Sequence, residues 1–157
     1  MKPKVYIETS VISYLTGQIS SDLITAGRQQ ITHQWWEKRK KDFQLFISDP
    51  VWDEASLGDP KAVKKRLNIL KKISQLEVTP EALEFAKFLI TNTPFPVNAQ
   101  VDALHIAVAT DQRMAYILTW NFKHIANASI RSKLEVLAQS RNFELPTICT
   151  PEELVYF

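Results

Sequence analysis

Two short β-favouring runs in the first third of the chain pass straight into helix signals, which constrains the fold more than any other feature of the sequence. Lys4 to Ile7 contains Val5, Tyr6 and Ile7, and Thr9 and Ser10 follow at once, either of which can cap a helix over Val11 to Leu15. Phe43 to Ile47 is followed by Asp49 and Pro50, a helix start with proline in its first turn that leads into Val51, Trp52 and Glu54. Between these runs, Asp22 caps a long polar helix to about Lys41, whose apolar stripe of Ile24, Ile31 and Trp35 is weak. Asp59 to Ile73 is an amphipathic helix, with Val63, Leu67, Leu70 and Ser74 on one face and lysines on the other. Thr79, Pro80 and Glu81 open a helix to Thr91, Thr93 to Asn98 with Pro94 and Pro96 is a loop, and Ala99 to Ala109 is apolar on nearly every side, as a central helix would be. Tyr116 to Thr119 and Thr147 to Cys149 complete the strands, with Ser129 to Ser140 a helix between them. Strands alternating with helices predict a parallel sheet covered by helices, with ligands bound beyond the C-terminal strand ends.

The chain has 157 residues, three of them glycine, and no linker, repeat or low-complexity tract, so residues 1–157 are expected to form a single domain. Cys149 is the only cysteine, which excludes an internal disulfide and a cysteine zinc site and fits a reduced cytoplasm. No run approaches the roughly 20 apolar residues of a membrane span. Glu8 interrupts the N-terminal apolar run where a secretory leader would continue, so neither export nor anchoring is expected. Net charge is +2, yet Lys38, Arg39, Lys40 and Lys41 form one basic segment and Lys61, Lys64, Lys65, Arg66, Lys71 and Lys72 another. Such segments can contact phosphates or simply form a solvated face. Trp35 and Trp36 can stack bases, or pack into the core.

Most of the 17 acids sit in caps or polar stretches, but three do not. Glu8 stands at the C-terminal end of the first strand, Glu54 lies shortly after the second, and Asp102 is the one acid inside an apolar helix. Each has a plain reading: a helix cap for Glu8, a surface position for Glu54, a pairing with His105 or a hydroxyl for Asp102. Together, acids at these places in a doubly wound sheet converge on one cleft, where mutual repulsion calls for a hard divalent cation. Metal-assisted phosphoryl or phosphodiester chemistry follows.

In order and spacing, Val5-Tyr6-Ile7-Glu8-Thr9-Ser10-Val11-Ile12, Ser48-Asp49-Pro50-Val51-Trp52-Asp53-Glu54, Val101-Asp102-Ala103-Leu104-His105-Ile106-Ala107 and Ile117-Leu118-Thr119-Trp120-Asn121-Phe122-Lys123-His124 resemble the motifs of PIN-domain nucleases. Within that family the nearest likeness is to VapC-type toxins of toxin–antitoxin pairs, over residues 4 to about 150. The resemblance implies a three-layer α/β/α sandwich with a central parallel sheet of strand order 3-2-1-4-5. It also implies an endoribonuclease that uses Mg²⁺ or Mn²⁺. Glu8 stands where the family usually has Asp, Glu54 matches the second acid, Asp102 the third, and Asn121 the fourth position, where many relatives carry Asp. Thr119 matches the hydroxyl beside the cleft, and His124 stands where others place a later Asp. The resemblance thus assigns catalysis to Glu8, Glu54, Asp102, Thr119 and Asn121, and metal binding to Glu8, Asp102 and Asn121. RNA as substrate, an antitoxin whose C-terminal segment fills the cleft, and a homodimer are implied as partners. Lys38, Arg39, Lys40, Lys41, Lys64 and Lys65 are the candidate RNA contacts.

The departures have consequences. Glu8 adds a methylene to a site whose Mg²⁺ ligands must lie at about 2.0–2.1 Å, and Asn121 removes a formal charge, so weaker affinity is expected. Mn²⁺ is favoured if His124 reaches the cleft; otherwise His124 is a partly exposed residue at a helix start, and His105 a satisfied neighbour of Asp102. Two other classes compete: a PIN-like module that binds RNA or a protein without cutting, and a phosphatase or phosphoacceptor domain. The latter lacks a second acid beside Glu8 and a lysine suitably placed after Thr119.

Overall fold

The structure, a computed structural model, describes residues 1–93 and 95–156, with the backbone alone at 97. Its order is β1 (Lys4–Ile7), α1 (Thr9–Thr16), α2 (Leu23–Lys38), β2 (Gln44–Ser48), α3 (Asp49–Ala55), α4 (Pro60–Leu70), β3 (Ser74–Leu76), α5 (Pro80–Asn92), α6 (Gln100–Asp111), β4 (Tyr116–Leu118), α7 (Ala128–Ser140), β5 (Thr147–Cys149) and α8 (Pro151–Val155). Short 3₁₀ turns precede β2 (Lys40–Asp42) and α6 (Val97–Ala99). The five strands run parallel in the order β3-β2-β1-β4-β5, with helices on both faces, the expected α/β/α sandwich.

β1 lies at the centre, and Val5, Tyr6 and Ile7 are wholly buried, as a strand covered on both faces requires. Each such side chain contributes about 1.5–3 kcal/mol through burial. α6 is buried from Asp102 to Thr110 except at Leu104, and packs on α5 and β4. α2 has a weak apolar stripe because polar groups supply much of its docking. Gln29 bridges Ser20 N and Gln18 O (2.9 and 2.8 Å), and Thr32 Oγ1 accepts the Trp120 indole N–H at 2.8 Å. Trp35 is fully buried against Phe43, so it serves the core; Trp36 is half-buried. Cys149 is buried too, and desolvation, aided by the charge of Glu153, pushes its thiol up to about 12.

Two helix ends differ from expectation, and two elements went unread. α2 ends at Lys38 and a 3₁₀ turn follows, and α4 ends at Leu70 because Ser74–Leu76 is a strand, β3, that the residues did not announce. Its three residues pair with β2 and are exposed at Ser74 and Gln75, so neither apolar alternation nor β-branching marks it. α8 also went unread, although Thr150 and Glu153 form a capping box, with Glu153 Oε2 accepting from Thr150 N at 2.7 Å. Pro94, expected in a loop, lies outside the described residues.

Candidate functional site

β1 ends by delivering Glu8 to the N-cap of α1. One carboxylate oxygen, Oε2, accepts from Ser10 N at 2.9 Å, from the Ser10 hydroxyl and from Thr119 Oγ1 at 3.0 Å. Glu8 is therefore a cap, as the plain reading had it, but the cap occupies one oxygen; Oε1 makes no hydrogen bond among the described residues. The side chain is 3% exposed, and burial raises its pKa despite the charge of His105 and the donors of Ser10.

β2 passes into α3 at Ser48, and two turns later Glu54 faces the same place. Its Oε1 accepts from Thr9 Oγ1 at 2.6 Å and from His105 Nε2 at 2.5 Å. Burial opposes ionisation of Glu54, but these two partners outweigh it and lower its pKa. Behind α3 the chain turns at Gly58 (φ 106°), a left-handed conformation that suits glycine, and Arg66 ties the turn by donating to the carbonyls of Ala55 and Leu57.

His105 is wholly buried on α6. Its Nδ1 meets the Tyr6 hydroxyl at 2.6 Å, and that hydroxyl meets Ser48 Oγ at 2.6 Å. Nε2 must carry a proton to donate to the Glu54 carboxylate, whereas the Tyr6 and Ser48 hydroxyls can turn to serve Nδ1 in either protonation state. Burial works against the imidazolium, yet Glu54, Glu8 and Asp102 together raise the His105 pKa above its ordinary value. Ligand atoms of Glu8, Glu54 and His105 lie within 4.8 Å of one another. His105 thus sides with Glu54 and Tyr6, and its ring makes no hydrogen bond to Asp102.

Asp102 is held by a second group. Oδ1 accepts from Asn121 Nδ2 at 3.1 Å, and Oδ2 from His124 Nδ1 at 2.7 Å. Asn121 Oδ1 accepts the His124 backbone N–H at 3.0 Å, while Asn121 N donates to Thr119 Oγ1 at 2.9 Å. Thr119 therefore joins the two groups, as acceptor from Asn121 and donor to Glu8. The His124 side chain is only 13% exposed and bonded to Asp102, so it belongs to the cleft and not to an exposed helix start. Asn121→Asp would set a carboxylate oxygen where an amide now donates to Asp102. Without metal the variant is expected to lose about 1–2 kcal/mol, or roughly 2–8 °C in Tm. With Mn²⁺ it should regain more than the parent does, and paired thermal melts with and without Mn²⁺ check both.

Among the described residues no lysine or arginine lies within salt-bridge distance of Glu8, Glu54 or Asp102. Buried Glu8 and Asp102 and half-buried Glu54, with His105 beside them and no lysine or arginine, form a donor set of oxygen and nitrogen that fits a divalent ion once the ion displaces the His105 Nε2 proton. A cavity of about 690 Å³ is lined by Lys4, Arg113 and Thr147, at the opposite end of the sheet from these acids.

The expected RNA contacts are dispersed. Lys64 and Lys65 are exposed on α4, and Lys38 at the end of α2. Lys40 and Lys41 precede β2, hence lie at the N-terminal end of the parallel sheet, away from Glu8. Arg39 is engaged with Asp42 at 2.9 Å and with Val155 O at 3.1 Å. The residues missed in the sequence were Thr9, Ser10, Tyr6 and Ser48; only the position of Thr9 and Ser10 beside Glu8 signalled a part.

No protein-family model matches the sequence, and no curated protein does. Solved structures do match. VapC20 of Mycobacterium tuberculosis, described as a toxin that cleaves the sarcin–ricin loop, superimposes with a TM-score of 0.59 at 16% identity, over 76% of this chain and 91% of its own. VapBC2 of Rickettsia felis, bound to a DNA fragment from its promoter, gives 0.58 at 12% identity over 94% and 98%. The fold is that of the VapC-like PIN domain.

Proposed function

We propose that the chain is a divalent-metal-dependent endoribonuclease that hydrolyses RNA phosphodiester bonds and serves as the toxin of a cytoplasmic toxin–antitoxin pair, acting as a homodimer. The observation that carries this reading is the gathering of Glu8, Glu54 and His105, with Asp102 alongside, at the C-terminal ends of β1 and its neighbours without a lysine or arginine partner. The VapC neighbours support the toxin class and an antitoxin partner.

Glu8 and Glu54, assisted by His105 or Asp102, would hold Mg²⁺ or Mn²⁺, which when bound supplies the positive charge that attack on a phosphodiester needs. The protein's own groups do the rest. Ser10 and Thr119 hold Glu8 by Oε2, and Oε1 makes no hydrogen bond among the described residues. Thr9 and His105 hold Glu54 through its Oε1. Asn121 and His124 occupy both oxygens of Asp102, so we assign Asn121 to orienting that carboxylate. At the margin, the guanidinium of Arg28 sits 4.6 Å from the ring centre of Phe122, which is 40% exposed one residue beyond Asn121. That pair offers a stacking face and a cation to the strand being cut.

The test is incubation of purified protein with a mixed-sequence RNA in Mn²⁺, Mg²⁺ or EDTA. Cut products with a divalent ion and none in EDTA are expected. RNA that is bound but left intact under all three conditions would instead support a binding module.

A further inference from the structure

Lys40 and Lys41 of one basic segment and Lys72 of the other, some thirty residues apart in sequence, meet at the far end of the sheet. A groove of about 410 Å³ is lined by Trp36, Lys40, Lys41, Lys72, Leu45, Ile69, Ile73 and Ser74. No acid lines it, and among the described residues none of its three lysines is within salt-bridge distance of a carboxylate. Lys40 Nζ stands 4.6 Å from the centre of the Trp36 ring, so the groove sets an aromatic face and an apolar floor among unneutralised cations. It runs beside β3, whose outer edge has no strand partner.

We propose that this groove is a second contact for single-stranded RNA, distinct from the Glu8 cleft, which grips backbone phosphates through Lys40, Lys41 and Lys72 and stacks a base against Trp36. Lysines without acidic partners favour a polyanion, and an aromatic face among them favours one that carries bases. Position gives the groove its meaning. It adjoins the N-terminal ends of β2 and β3, whereas Glu8 follows the C-terminal end of β1, so the five residues of β2, at about 3.3 Å each, separate the two sites. A short oligonucleotide that fills the cleft does not reach the groove, while a longer strand engages both. The inference rests on RNA being the substrate of the cleft.

The experiment compares the parent with Lys40→Gln/Lys41→Gln/Lys72→Gln, and with Lys2→Gln/Lys87→Gln/Lys133→Gln, which removes equal charge from exposed positions elsewhere. Fluorescence polarisation in EDTA measures binding of labelled oligouridylates of about 4 and about 20 nucleotides, bracketing common single-strand site sizes. For the longer RNA the groove variant is expected to bind at least ~10-fold more weakly, with a log–log salt slope lower by about 2, the share of three phosphate contacts. The control variant should stay within about twofold of the parent, and the groove variant should lose less affinity for the short RNA, which cannot engage groove and cleft together. In cleavage assays the groove variant should raise KM for the long RNA at unchanged kcat. Equal losses in the groove and control variants, or a groove variant that binds long RNA as the parent does, overturn the proposal; the latter is also what an acidic protein partner for the groove would produce. Failure of the parent to cut any RNA would overturn the nuclease reading instead, and the binding comparison in EDTA tells the two failures apart.

Discussion

Glu8→Gln is expected to lower RNA cleavage at saturating Mn²⁺ by about 100-fold or more, because it removes a charged donor from the cleft at the point where charge develops in the reaction. The same change should make the metal-free protein more stable. Glutamine keeps an acceptor for Ser10 and Thr119, so the α1 cap survives, and what disappears is a buried ionisable carboxyl beside Glu54. The direction follows from linkage: a carboxyl whose folded pKa lies above its ordinary 4.5 contributes stability below that pH and loses it as pH rises through the folded value. Above its ordinary pKa, Glu8 therefore destabilises the metal-free fold, and an increase of about 2–4 °C in Tm in EDTA is the expected scale. Mn²⁺ reverses the order. At a hundredfold excess over Kd, a bound ion stabilises the parent by about 2.7 kcal/mol, and the variant gains little. Thermal melts of both proteins, with and without Mn²⁺, together with a cleavage time course, check the pair of effects. A variant that cuts as well as the parent would remove Glu8 from the site.

His105→Ala should be the most destabilising single change at the site. It opens a cavity on α6 and leaves the Tyr6 hydroxyl with Ser48 alone and Glu54 Oε1 with Thr9 alone, a loss of about 3 kcal/mol, or roughly 6–12 °C in Tm. Tyr6→Phe removes one link and should cost less. The double variant His105→Ala/Tyr6→Phe should fall short of the sum of the two, because the second change removes a bond the first has already broken. The pH dependence carries the sign of the shift. His105 has a folded pKa above its ordinary 6.5, so its contribution is complete below that pH and fades as pH rises through the folded value. Glu54, with a lowered pKa, contributes above its ordinary 4.5 and fails in acid. In metal-free Glu8→Gln, which lacks the opposing titration of Glu8, the protein should thus melt highest between about pH 4.5 and 6.5, and adding His105→Ala should flatten the alkaline side of that profile; an unchanged profile would show that His105 does not hold Glu54.

What could be read in advance followed the range of the interaction. β1 into α1 and β2 into α3 were legible because β-favouring runs and helix starts are local, although the caps are Glu8 and Ser48 rather than Thr9 or Ser10 and Asp49, and Glu8, Glu54 and Asp102 stood out because each interrupts an apolar context. β3 was not legible, since Ser74–Leu76 is a strand only by virtue of its pairing with β2. The capping box at Thr150 and Glu153 was present in the sequence and shows that a local signal can also be overlooked. His105 was assigned to Asp102 by proximity on one helix, whereas its partners come from β1 and α3, 99 and 51 residues away. Likewise His124 reaches Asp102 because the chain turns at Asn121, whose carbonyl accepts from both Ile125 and Ala126.

The central claim, that the acids of the β1 end hold a divalent ion, is tested most directly by titrating Mn²⁺ into the metal-free parent and into Glu8→Gln by isothermal calorimetry. Saturable binding to the parent and its loss in the variant are the predicted result. No heat in the parent, or the same affinity in both proteins, would contradict it.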